Sequence, residues 1–253
     1  GGVGVCADSL RWIQLHDQSH PRDAGRPLSG GLAADQGASK KVWSNESPAL
    51  ARWMSNTQNN PLDWISLTNT EVESMVARFT IDLEDNFHAI TPCEEWKAQP
   101  EELMGPTYQL LTILSQAEVQ ATWYVLGHVA QRYPKLIQAI VQHGHLIGSH
   151  GYYHRHGERE GDASDQLART FLPSCVGYRS PYWDTTPRPG LVGGAYFRLL
   201  PYWLMKREVI RTGLLAVHPH DLTQQTTGPL RRRVGHRHAW DRLHRLLAEV
   251  PFV

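Results

Sequence analysis

Apolar and polar positions divide the chain into two textures. Through residue 74, apolar residues fall without period among Gly, Ser, Asn, Asp and Pro, and "RPLSGGLAADQGASKK" reads as a flexible or surface segment. From Met75 onward, short apolar runs alternate with stretches of helical spacing. "VARFTID" (76–82) predicts a strand, "PTYQLLTILSQAEV" (106–119) a helix, and "QATWYVLG" (120–127) a second strand. "YPKLIQAIVQHG" (133–144) predicts a helix with Pro134 in its first turn and Gly144 at its end, and the strand "HLIGSH" (145–150) follows. "CVGY" (175–178) and "GLLAV" (213–217) are further strand-like pieces. Strands joined by helices of this length predict an α/β domain with a mainly parallel sheet over residues 75–253, preceded by an unassigned N-terminal segment, 1–74.

In such a sheet, chemistry gathers beyond the carboxyl ends of the strands. "VARFTID" runs into Asp82, Glu84 and Asp85, and "HLIGSH" ends at His150 with His154 four residues on. "CVGY" leads into "RSPYWD" and "GLLAV" into "HPHD". Two imidazoles four apart on one helical turn point the same way, so His150 and His154 are expected to share a metal ion with a carboxylate from 82–85. A divalent ion lowers the pKa of a bound water toward neutrality and polarises a carbonyl, which hydrolysis of an amide requires. The competing reading is a chance cluster in a chain with 14 histidines. The position of the pair at a strand end weighs against it.

Composition narrows the partners. At 253 residues and 41% hydrophobic, the chain can bury one large core or a core with a small appendage. Its 25 Lys and Arg balance its 25 Asp and Glu, so no long-range field favours nucleic acid or an anionic membrane. The apolar runs fall short of the roughly 18 residues of a membrane span, and no charged-then-apolar leader opens the chain. Three scattered cysteines, Cys6, Cys93 and Cys175, suit neither a disulfide framework nor a sulfur-ligated zinc site. The expectation is a soluble, cytoplasmic protein without a nucleic-acid partner or transmembrane segment. Its oligomeric state is left open.

Four stretches together resemble the polysaccharide deacetylase superfamily, also called NodB-homology or carbohydrate esterase family four. "TIDLED" looks like its first motif, "SHGYYH" its second, "GYRSPYW" its third, and "LAVHPHD" the late strand with the catalytic histidine. "GGAYFRLLPYW" and "RRRVGHRHAWDRLHRLLAEVPF" look like the exopolysaccharide- and exosortase-associated branch that carries an Asp-Val-Glu-Asp-Tyr-Phe motif. The resemblance covers residues 76–253. It implies a distorted (β/α) barrel and a metal-dependent N-deacetylase of an amino-sugar glycan or glycan precursor. Gly157–Val176 reads as loop, and only about ten residues separate Trp183 from Gly194. Either barrel elements of the family are lost there or segments are missing from the given sequence; missing segments are the expectation, because a barrel with fewer strands would expose unpaired edges.

The resemblance and the chemistry together suggest roles. Asp82 would be the general base, and His218 would deliver a proton to the leaving amine, oriented by Asp221 or another carboxylate. His220 is the weaker candidate because Pro219 interrupts the strand. Arg179 would keep Asp82 ionised, and the Tyr182 backbone N–H would stabilise the oxyanion. His150 and His154 would ligate the metal with either Glu84 or Asp85, which the sequence leaves undecided. The mixed N/O set favours zinc. Trp183 and Tyr153 are candidate sugar-stacking rings. The alternatives are an amidohydrolase of the same fold acting on a small cyclic or formyl amide, and an inactive glycan-binding module.

Overall fold

The computed structural model describes residues 76–191, 193–225 and 228–252, so the segment 1–74 lies outside the described residues. Strands β1 (Arg78–Leu83), β2 (Ala121–Val125), β3 (Leu146–Ser149) and β4 (Leu214–Val217) form one sheet in the order β3-β2-β1-β4. Every pairing is parallel. β1 is buried from Phe79 to Leu83 and β4 along its whole length, as befits strands covered on both faces. The expected α/β architecture with a parallel sheet is the one found. Two isolated parallel bridges extend it, Ser149 to Tyr178 beside β3 and Ala77 to Phe252 at the start of β1.

Eight helices flank these strands among the described residues: α1 (Met104–Ala117), α2 (Gly127–Arg132), α3 (Pro134–Gln142), α4 (Ala163–Arg169), α5 (Gly194–Leu199), α6 (Tyr202–Thr212), α7 (Leu230–Arg233) and α8 (Ala239–Glu249). None is long and apolar enough to cross a membrane. Leu110 and Leu114 of α1, Leu136 and Ile140 of α3, and Leu243 and Leu246 of α8 join Phe79, Ile81 and Trp123 in one buried cluster. Burial of this apolar surface is the main force holding the sheet between its helices.

Local chemistry explains most boundaries. Pro134 opens α3 as expected, where its missing N–H costs nothing, and Gly144 follows the helix at φ +80°. The run "CVGY" does not form a regular strand. It lies along β3 through Val176 N–H to Ile147 O at 2.8 Å and Arg179 N–H to Ser149 O at 2.9 Å. The stretch expected to be loop, 157–176, contains α4. Its N-cap Asp162 accepts the Asp165 N–H at 2.8 Å, satisfying a free donor of the first turn.

Candidate active site

The carboxyl ends of β1, β3 and β4 supply the polar groups. Register places Asp82 beside Tyr124 of β2, and Tyr124 beside Gly148 of β3. Arg179 emerges next to the Tyr178 bridge and lies between two rings, 4.0 Å from the centre of Tyr124 and 4.2 Å from that of Trp183. Held there, it donates from Nη1 to Asp82 Oδ1 at 2.5 Å and from Nη2 to Thr80 Oγ1 at 3.0 Å. Burial pushes the Asp82 carboxyl upward, but the Arg179 guanidinium, with His150 and His218, holds it below its ordinary value.

Glu84, His150 and His154 are all buried, and their ligand-capable atoms lie within 4.8 Å of one another. The Arg179 carbonyl accepts from His150 Nδ1 at 2.8 Å, so the proton sits on Nδ1 and Nε2 offers its lone pair. His154 Nε2 lies 2.7 Å from Glu84 Oε2. Burial opposes charge on Glu84, yet His154 outweighs it and keeps the carboxyl well below its usual range. Burial also lowers the His150 pKa, favouring the neutral, ligating imidazole. Among the described residues, Glu84 Oε2 and His154 Nδ1 are buried without a hydrogen bond of good geometry. Two imidazoles and one carboxylate of this kind fit a zinc-like dication.

The two histidines do not converge through a helical turn, contrary to the expectation from their spacing. Residues 150–155 are irregular, with Gly151 at φ +70° and His154 itself at φ +51°. The rings nonetheless come to 5.2 Å between centres. A left-handed non-glycine residue costs about 1–2 kcal/mol, so packing and Glu84 must hold His154 in place. Tyr182 and Trp183, at φ +57° and +61°, are strained in the same way.

Asp85, the alternative ligand, turns elsewhere. It stands at the N-terminus of the 3-10 turn Asn86–Ala89, where its Oδ1 accepts the Glu102 N–H at 3.0 Å and its N–H donates to His88 Nδ1 at 2.9 Å. Burial, opposed by the Glu102 N–H, pushes its carboxyl up to about 7. Among the described residues it belongs to no ligand-capable group, whereas Glu84 joins His150 and His154.

His218 follows β4 and is the more open group of the site, with 19% of its side chain exposed. Asp221 Oδ2 accepts from its Nδ1 at 2.7 Å and from its backbone N–H at 3.0 Å, while Nε2 faces Asp82 Oδ2 at 3.6 Å and Glu84 Oε1 at 3.8 Å. Burial disfavours the imidazolium, but Asp221, with Asp82 and Glu84, overcomes it and raises the His218 pKa to about 9. Arg198, which sequence reasoning quoted within "GGAYFRLLPYW" without a role, donates from Nε to Asp221 Oδ1 at 2.9 Å in a buried pair. The glycines before it are needed for close approach: a Cβ on Gly193, at φ +80°, would lie 2.9 Å from Ala216 O of β4. His220 stacks on His218 with ring centres 4.6 Å apart, and its pKa is lowered to about 3, by burial first and His218 next.

The remaining candidates lie as follows. Tyr182 donates its hydroxyl to Ala89 O at 3.1 Å, faces His154 at 4.6 Å and stacks on His156 at 3.9 Å. Trp183 covers Arg179, and Tyr153 packs 4.7 Å from Tyr152 with the Arg155 guanidinium 4.6 Å from its centre. Sequence reasoning also missed Tyr124, whose signal was its place one strand over from Asp82.

The family model described as polysaccharide deacetylase matches residues 104–171. The chain is 33% identical over 87 residues to a peptidoglycan-N-acetylglucosamine deacetylase of Bacillus cereus, covering 31% of this chain and 32% of that protein. It is 36% identical over 50 residues to a peptidoglycan-N-acetylmuramic acid deacetylase of Bacillus subtilis, 20% of this chain and 19% of that one. The matches thus span about a third or less of these curated relatives. Among solved structures, a family 4 carbohydrate esterase from Streptomyces lividans in complex with acetate aligns with TM-score 0.45 and 19% identity, over 68% of this chain and 88% of that one. The family that the sequence matches support for this chain is polysaccharide deacetylase.

Proposed function

We propose that the chain is a metal-dependent hydrolase that removes the N-acetyl group from an amino sugar in a polysaccharide or glycan precursor. The observation that carries this reading is the meeting of Glu84, His150 and His154 beside Asp82, held by Arg179, and His218, held by Asp221. Glu84, His150 and His154 would hold the ion, zinc by the chemistry of the set; when bound it supplies Lewis acidity and a water of lowered pKa. Asp82 takes the proton of the attacking water, and Arg179 keeps that carboxylate ionised and aimed. The Tyr182 N–H donates to the oxygen that becomes negative as the carbonyl carbon turns tetrahedral. His218 gives its Nε2 proton to the departing nitrogen, while Asp221, fixed by Arg198, holds the ring and stabilises its charge.

The names of the curated relatives make an amino-sugar glycan the favoured substrate class. The stretches "GGAYFRLLPYW" and "RRRVGHRHAWDRLHRLLAEVPF" favour the exopolysaccharide-associated branch within it. Acetate release from N-acetylglucosamine oligomers, measured with zinc-loaded and chelator-treated protein, tests the reading. Turnover by the loaded protein alone supports it. Binding of the oligomers without acetate release would make the chain a glycan-binding module, and activity indifferent to chelation would remove the metal from the mechanism.

A further inference from the structure

The Glu84 carboxylate has two sides. Its Oε2 lies 2.7 Å from His154 Nε2, and its Oε1 faces His218 Nε2 at 3.8 Å. The ligand-capable atoms of Glu84, His218 and His220 also lie within 4.8 Å of one another, as do those of Glu84, His150 and His154. Tetrahedral ligands about 2.0–2.2 Å from an ion stand closer than this, so small side-chain rotations would complete either set.

The surroundings of the second set are those of a ligating pair. Asp221 accepts from His218 Nδ1 at 2.7 Å and is itself held by Arg198 at 2.9 Å, leaving Nε2 to face Glu84. Carboxylate support of this kind orients a ligating imidazole. His220 directs Nδ1 toward the Glu84 carbonyl at 3.5 Å and stacks on His218. The 3-10 turn Pro219–Asp221, which ends β4, is what brings the two rings together. Of this set Glu84 and His220 are buried and His218 is partly exposed, so an ion from solvent would reach it past His218.

We propose that Glu84, His218 and His220 form a second, inhibitory site for a zinc-like dication, sharing Glu84 with the first. The proposal rests on the reading of Glu84, His150 and His154 as the activating site. The nitrogen-rich set suits zinc, cobalt, nickel or copper and disfavours magnesium and calcium, which prefer oxygen ligands. An ion there occupies His218 Nε2, the atom that delivers the proton, so occupancy stops turnover.

Zinc titration of the apoprotein, followed by equilibrium dialysis and by acetate release, tests this. The expected result is two equivalents bound, with activity rising over the first and falling over the second. His220→Asn keeps a donor near the Nδ1 position and lacks Nε2, and His220→Phe keeps the stacked ring; both are prepared and checked for folding by circular dichroism. Either folded variant should bind one equivalent, retain activity at that loading and escape inhibition by excess zinc. Wild type saturating at one equivalent that His150→Ala abolishes would overturn the second site and leave the proposed function standing. A single equivalent that survives His150→Ala and disappears in His220→Asn would overturn both. A second equivalent retained in folded His220 variants would place it elsewhere and overturn the proposal.

Discussion

Arg179 Nη1 stands 2.5 Å from Asp82 Oδ1, a buried ion pair across 97 residues of sequence, with the guanidinium clamped between Tyr124 and Trp183. Burial works to neutralise Asp82, and Arg179 is the chief group that prevents it. Arg179→Met should therefore raise the Asp82 pKa. A base is active above its pKa, so the acid limb of the kcat/KM profile should move to higher pH. An unmoved limb, with the variant folded, would show that Arg179 does not set the charge of the base. Breaking such a buried pair costs about 3–5 kcal/mol when the remaining charge stays, so urea midpoints should fall as well.

Asp82→Asn should retain zinc, because Asp82 lies outside the ligand-capable groups. The loss of a positioned proton acceptor should lower kcat by roughly two to four orders of magnitude. Near wild-type kcat in a zinc-loaded Asp82→Asn protein would place the base elsewhere.

Glu84→Gln and Asp85→Asn should separate cleanly by elemental analysis. Glu84 faces both histidine pairs, while Asp85 is committed to the Glu102 N–H and the start of the Asn86–Ala89 turn. The first variant should lose zinc and the second should keep it, with its main effect on the position of the turn. The reverse pattern would exchange their roles.

This one-residue distinction shows where the sequence stops speaking. The end of β1 was legible from a buried apolar run followed by acids, and so was the placing of His150 and His218 after apolar strands. Which acid turns inward depends on a 3-10 turn anchored by His88 and Glu102, partners that no periodicity announces. The spacing of His150 and His154 suggested a helical turn, but a left-handed His154 is a product of tertiary packing. Arg198 and Tyr124 went unassigned because their partners, Asp221 and Arg179, lie 23 and 55 residues away. The capping signal of α4 was readable at Asp162, but loop-like composition around it prevailed in the reading.

His145 supplies a pH dependence away from the proposed ligands. It is buried, its Nδ1 accepts the Ala121 N–H at 3.2 Å, and burial, with His143, lowers its pKa to about 4. In the unfolded chain it takes up a proton near pH 6.5. Between about pH 6.5 and 4 the unfolded state therefore binds more protons, and stability falls as pH falls through that window. His145→Gln should flatten that part of the curve while leaving the slope above pH 7 unchanged. Identical urea midpoint differences between pH 7.5 and pH 5 in variant and wild type would contradict this.

The role of His218 can be separated from site-shaping by changing the leaving group. An amine leaves a tetrahedral centre slowly unless a proton reaches the nitrogen as the bond breaks, and a phenolate needs little such help. His218 is placed for this, with Asp221 at Nδ1 and Nε2 facing Asp82 and Glu84, and its pKa of about 9 keeps it protonated at neutral pH. His218→Ala should bind substrate and the first zinc, lose roughly two to four orders of magnitude on an acetamide, and lose far less on a phenyl acetate. Asp221→Asn should follow the same order in a milder form, since it alters the charge and aim of the ring without removing it. Equal losses on amide and ester in His218→Ala would mean that the histidine shapes the site and that the proton comes from another donor.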